Sequence, residues 1–203
     1  MRNASFDPSA GHHASSSTTS MKNKILFLAA NPTTETWLAL DEECRAIEAT
    51  LRAATYRERL ELVTKWAVRP SDLLQYFHEH KPCMIHFSGH GTKAGEIVLI
   101  GKNRTSKTVS RSALKYLFTI LKDNIRVVVL NACYSKKQAK VISSVVDCCI
   151  GMSDAVLDDA AIVFAAAFYQ AIGSNESVKK AFDCGIIAMG LDGISGKKAP
   201  KLL

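Results

Sequence analysis

The sequence predicts an α/β fold built around a mostly parallel central sheet, and three observations lead there. From Lys24 onward short apolar runs alternate with amphipathic stretches, the signature of strand–helix–strand units. The apolar runs are nearly continuous, as in Val127-Val128-Val129-Leu130, which suits strands covered by helices on both faces. The chain of 203 residues is also long enough for one domain that buries about 70% of its unfolded surface.

The elements follow in order. Strands are expected at Ile25–Ala29, Leu60–Trp66, Met84–Ser88, Val127–Asn131 and Cys148–Met152. Helices are expected at 35–54, Ser71–His80, Ser112–Lys122, Lys136–Val145, 158–172 and 177–190. One insertion breaks the rhythm: Glu96-Ile97-Val98-Leu99-Ile100-Gly101 and a basic loop stand between the third strand and its next helix. A plain loop of that length is unusual, so a small hairpin or flap over the sheet's end is expected. Residues 1–20, rich in Ser and Thr and without periodicity, read as a disordered leader, with residues 21–203 forming the domain. The segment ending at Pro200-Lys201-Leu202-Leu203 barely starts a further strand, so that strand is expected to be abbreviated or the domain trimmed.

Composition narrows the function. At 47% hydrophobic and 22% charged, the chain is neither collagenous nor wholly disordered. Its longest run of aliphatic and phenylalanine residues, Ala160 to Phe168, falls far short of the ~20 residues needed to span a bilayer. The first twenty residues lack an apolar export stretch, so the expected location is cytoplasmic, with no membrane partner. Six cysteines without a Cys-x-x-Cys pair argue against disulfides and zinc; adjacent Cys148 and Cys149 read as small core residues on opposite faces of a strand.

The net charge of +7 is local in origin. Residues 102–140 hold ten Lys or Arg against one acid, Asp123, leaving 16 basic and 18 acidic residues elsewhere. This strip lacks the regular aromatic interleaving that base stacking needs, so it reads as a solvated loop and helix faces, and direct nucleic-acid binding is not expected.

Two clusters carry chemistry, both at carboxyl ends of strands, where open α/β sheets bind ligands. His86-Phe87-Ser88-Gly89-His90-Gly91 closes the third strand, and its two glycines let the backbone turn sharply and leave His90 at the rim. Leu130-Asn131-Ala132-Cys133-Tyr134-Ser135 closes the fourth, where Cys133 meets the positive end of the following helix, a setting that favours the reactive thiolate. Consecutive strands are commonly neighbours, so both clusters open into one crevice. A histidine base facing a cysteine nucleophile is the minimum set for covalent acyl transfer.

Ser88-Gly89-His90-Gly91 and Asn131-Ala132-Cys133-Tyr134-Ser135, with Gly151-Met152 and the helix Asp158–Tyr169, resemble the CHAT family of caspase-like cysteine peptidases over about residues 22–203. The resemblance implies a caspase-like three-layer sandwich in which His90 is general base and acid and Cys133 the nucleophile. The backbone N–H groups of Gly91 and Cys133 would hold the oxyanion, and no metal or organic cofactor would take part. It implies a protein substrate, a sensor or regulatory protein partner, and a bacterial regulatory or defence setting. It also places Asn131, two before the nucleophile, in the substrate pocket. Asn131 is neutral, which leaves Asp154, in the loop after the fifth strand, as the acidic pocket candidate, with a plain surface position equally open to it; a basic and a neutral P1 side chain both remain open.

Other residues have plainer readings. His86-x-x-x-His90 has the spacing of a metal pair, but four residues of strand span roughly 13 Å, so His86 is expected to be structural. His78 and His80 fit a helix C-terminus, and Asp158 and Asp159 a helix first turn. Trp37 and Trp66 fit either a core or a groove. Two rivals stand beside the peptidase: a catalytically silent docking module of the same fold, and a flavodoxin-like nucleotide binder. The turn Ala29-Ala30-Asn31-Pro32-Thr33-Thr34 counts against the latter because it lacks a glycine-rich phosphate loop.

Overall fold

The computed structural model describes residues 22–194 and 200–203; the expected leader at 1–20 lies outside them. Among the described residues, eight strands and six α-helices occur in the order β1 (Asn23–Ala30), α1 (Leu40–Ala53), β2 (Leu60–Lys65), α2 (Asp72–His80), β3 (Met84–Gly89), β4 (Ile97–Ile100), β5 (Ser106–Val109), α3 (Arg111–Leu121), β6 (Val127–Asn131), α4 (Lys136–Ile142), β7 (Cys148–Met152), α5 (Asp158–Gly173), α6 (Val178–Leu191) and β8 (Pro200–Leu202). The central sheet runs β2-β1-β3-β6-β7-β8. Its pairs are parallel except β7 with β8, where Gly151 faces Lys201 in an antiparallel register. This is the mostly parallel α/β sandwich that the sequence predicts.

The period of two in each strand splits the core into two layers. In β1, Leu26, Leu28 and Ala30 face one layer, with Ile85 and Phe87 of β3, Val128 and Leu130 of β6, and helices α2, α3 and α4. Ile25, Phe27 and Ala29 face the other, with Val127 and Val129 and helices α1, α5 and α6. The inserted segment is a two-stranded antiparallel hairpin, β4–β5, whose Ile97, Leu99 and Ile100 are buried in the first layer. Fully buried Gln138 of α4 fixes it, accepting from the Ile97 N–H at 2.9 Å and donating to the Val109 carbonyl at 2.9 Å.

The helix expected from residue 35 begins instead at Leu40. Residues 31–39 carry Pro32 and three threonines and run as a loop, tied back by Asn31 Nδ2 donating to the Leu38 carbonyl at 3.1 Å. The loop is also fastened to the hairpin turn: the Thr33 N–H donates to the Arg104 carbonyl at 3.0 Å, and the Ser106 N–H to Thr34 Oγ1 at 3.0 Å. Where β1 connects outward to β2 and β3 lies on the other side, the strand order reverses, and the crevice at that switch point opens beside this loop.

Phe164 of α5 is fully buried, packs against Phe168 and Phe182, and sits where Gly185 of α6 leaves no room for a side chain. Phe164→Ala is expected to cost about 3–5 kcal/mol in denaturant unfolding, the range for emptying a closed aromatic site.

Candidate active site

Both sequence clusters reach the same rim. β3 and β6 are paired, with Ser88 opposite Asn131, so the chain leaves the two strands at one level. Gly91 then packs against the Cys133 backbone so closely that a Cβ there would lie 1.9 Å from the Cys133 carbonyl oxygen. Only glycine fits that approach, and it locks the His90 turn onto the Cys133 turn. Tyr134, directly after the cysteine, has φ +56°, the left-handed turn that swings the chain into α4. Its N–H is held by the Asp154 carbonyl at 3.2 Å.

His90 is half-buried. Its Nε2 lies 3.3 Å from Asn31 Oδ1, and because the Asn31 amide nitrogen donates to Leu38, that oxygen is the acceptor and Nε2–H the donor. Burial lowers the imidazole pKa from its ordinary 6.5; the Glu35 and Asp158 charges and a backbone hydrogen bond to Thr36 oppose the shift without overcoming it. The ring is therefore held neutral near pH 7, the state in which it can take a proton.

The Cys133 sulfur accepts from the Val156 N–H at 3.4 Å and lies 3.8 Å from the Val156 carbonyl. No hydrogen bond joins it to His90 among the described residues. The two residues stand on turns that the Gly91 contact brings together. The Gly91 and Cys133 N–H groups, the expected oxyanion donors, take no hydrogen bond among the described residues: the bridge from Gly91 to Ile97 is made by the flanking Thr92 and Val98 N–H groups.

Asn131 and Asp154 fare differently. Asn131 is buried and lines the cavity beside Cys133. Asp154 is absent from that wall, and its Oδ1 instead accepts from the Ala155 N–H at 2.8 Å. Asp158 stands in the first turn of α5, as expected, and also lines that wall; its Oδ2 accepts from the Ala39 N–H at 3.0 Å.

Beneath the rim lies a buried polar network that sequence reading does not anticipate. Glu43 of α1 accepts from Nε2 of fully buried His86 at 2.7 Å, from Ser88 Oγ and from Asn131 Nδ2. Tyr169 of α5 reaches His86 Nδ1 at 3.2 Å. His86 is thus structural, as its spacing from His90 implies. The signal for Glu43 was present: it falls within the buried stripe Leu40, Cys44, Ile47, Leu51, where a carboxylate needs a partner. Asn31 carried a weaker one, standing immediately after β1 at the sheet's carboxyl edge.

Trp37 and Trp66 turn out to be groove-lining, 77% and 47% exposed, on a neighbouring cavity of about 370 Å³ that also includes Asn31. Among the described residues, no helix is long and apolar enough to cross a membrane, and no three His, Cys, Asp or Glu side chains group where they could hold a metal.

Comparison with known proteins decides the family, because the CHAT domain model matches residues 7–183. The chain belongs to the CHAT domain family. Two relatives are similar at low identity. A Roc-COR-CHAT protease from an unknown prokaryotic organism is 25% identical over 167 residues, 79% of this chain and 16% of the relative. A probable protease from Gillisia limnaea (strain DSM 15749 / LMG 21470 / R-8282) is 24% identical over 147 residues, 71% of this chain and 26% of the relative. The matches thus span only a minor part of either relative's length.

Removing the hub of the buried network tests how far this CHAT domain depends on it. Glu43→Ala removes the acceptor shared by the donors of His86, Ser88 and Asn131. Leaving buried donors unmet costs about 1–3 kcal/mol each, so a loss of about 3 kcal/mol or more is expected by urea unfolding.

Proposed function

We propose that this chain is a cysteine endopeptidase acting on protein substrates. The observation that supports the reading is the Gly91–Cys133 contact, which joins the turn carrying half-buried His90 to the turn carrying partly accessible Cys133, beside two unengaged N–H groups. The family match and the protease names of both relatives support the same class.

In the proposed reaction, His90 accepts the Cys133 thiol proton as the sulfur attacks the scissile carbonyl carbon. The tetrahedral oxyanion is met by the N–H groups of Gly91 and Cys133. The C–N bond breaks, the amine leaves with the proton carried by His90, and a Cys133 thioester remains. Water attacks it with His90 again as base, releasing the carboxylic acid and the free thiol. No cofactor enters this sequence.

We place the protein in the cytoplasm, a reading supported by six free cysteines. Control falls to a sensor or regulatory partner in a bacterial regulatory or defence system, a reading suggested by the relative whose name joins CHAT to Roc-COR. The absence of a Cys133–His90 hydrogen bond favours a second reading, a silent docking module, and one experiment separates the two. A thiol-directed peptide electrophile is expected to label Cys133 ahead of the other five cysteines. Burial raises the pKa of Cys44 to about 11 and also raises those of Cys83, Cys148 and Cys149, which slows their thiols. Peptide mapping that finds Cys133 unlabelled supports the docking module. In the peptidase, Cys133→Ala and His90→Ala each lower turnover by orders of magnitude with little change in melting temperature.

The pH profile gives an independent check. Neutral His90 is the working form and its pKa is lowered, so the acid limb of kcat/KM is expected below the ordinary imidazole value of 6.5. Glu35→Gln removes a charge that favours the imidazolium and should move the limb further towards acid. A limb that stays at or above 6.5, or moves the other way, counts against His90 as the base.

A further inference from the structure

The cavity beside Cys133 is small, about 40 Å³, which corresponds to the space of roughly three water molecules. That is room for the end of one side chain and too little for an aromatic ring or an organic cofactor. Its wall carries Glu43, Asp158, Ser88 and Asn131 and contains no Lys, Arg or His.

One atom in that wall lacks a partner. Asn131 is 5% exposed, and its Oδ1 has no hydrogen bond. Turning the amide over does not help, because Nδ2 is already committed to two acceptors, Glu43 Oε1 and the Ala161 carbonyl at 3.3 Å. The buried oxygen therefore calls for a donor from whatever fills the cavity, since an unmet buried acceptor is costly.

Beside it stands the carboxyl group of Glu43, buried in the same wall and met by His86 Nε2, Ser88 Oγ and Asn131 Nδ2. The wall itself offers it no basic side chain. Asp158 adds a second carboxylate, of which Oδ2 is engaged by the Ala39 N–H.

We propose that this cavity is the subsite for the residue whose carbonyl Cys133 attacks, and that it takes a basic side chain, read by Glu43, Asp158 and the free Asn131 oxygen. The proposal rests on the peptidase reading for the word subsite, and on the cavity alone for the basic occupant. A lysine or arginine end group supplies both what the wall lacks, N–H donors and a positive charge. A neutral amide supplies only the donor, and an acidic side chain adds a negative charge to a wall that already carries two carboxylates. The acid that sequence reading assigns to this role, Asp154, is replaced by Glu43 and Asp158.

Two measurements test the proposal and keep its two supports apart. In the first, ¹⁵N-labelled full chain carrying Cys133→Ala is titrated with N-acetyl-lysine methylamide and with its norleucine counterpart, which lacks the ammonium. The Asn131 side-chain amide resonances are expected to shift with the lysine compound and to stay put with norleucine. Equal responses, or none to either, overturn the basic occupant. In the second, wild-type protein is treated with peptidyl acyloxymethyl ketones of fixed P1 and mixed P2–P4, and Cys133 labelling is followed by mass spectrometry. Lysine or arginine at P1 is expected to label about tenfold or more faster than norleucine, glutamine, leucine or aspartate, the scale of one charge-assisted contact. Asp158→Asn and Glu43→Gln, each checked for an intact fold by its melting transition, should narrow that ratio. Labelling without a basic preference overturns the subsite and leaves the peptidase standing. A lysine-specific Asn131 response with no labelling by any electrophile upholds the basic occupant and overturns the peptidase.

Discussion

The carboxylate of Glu43 is the constraint on which the site is built. It comes from α1, yet it is met by His86 and Ser88 from β3 and by Asn131 from β6, with α5 joined through Tyr169. A fully apolar interface would let these elements slide by fractions of an ångström. A buried carboxylate with fixed donors does not, because each displacement leaves a polar group unmet. The two strands that present His90 and Cys133 are therefore registered by side chains as well as by their parallel ladder.

Above this hub, local contacts position His90 and Cys133. The approach of Gly91 to the Cys133 carbonyl fixes how the turns meet, Asn31 Oδ1 accepts from the His90 imidazole, and the Val156 N–H donates to the Cys133 sulfur. Asn31 belongs to the loop that is fastened to the hairpin through Thr33 and Thr34, and the hairpin is in turn fastened to α4 through Gln138. The inserted hairpin thus braces the loop behind His90, and it is packed into the core rather than hanging free over the sheet.

Much of this was legible in the sequence, for physical reasons. Buried parallel strands must be apolar on both faces, so Val127–Asn131 and Cys148–Met152 declare themselves to the residue. Functional groups gather where strands end, so His90 and Cys133 stand out by position as well as type. What stayed hidden depends on contacts across long stretches of chain. Glu43 meets Asn131 across 88 residues, and Asp158 meets Ala39 across 119. Local pattern places Asp158 in the first turn of a helix, where it stands, but does not show that the 31–39 loop reaches that turn or that Asp154 turns back on its own backbone.

The distribution of charge shows why net charge is a poor guide to this cleft. The chain carries +7, and the basic residues behind that excess sit on the β4–β5 hairpin, α3, α4 and the turns between them. The hairpin and these helices pack on one layer of the core, whereas Glu43 and Asp158 belong to α1 and α5, which pack on the other. At physiological ionic strength exposed charges are screened over about 8 Å, so the basic surface is heard only weakly across the sheet. The lining of the cavity holds two carboxyl side chains and no Lys, Arg or His. Which residues line it is set by which face of the sheet each helix covers, and the net charge of the chain does not reveal them.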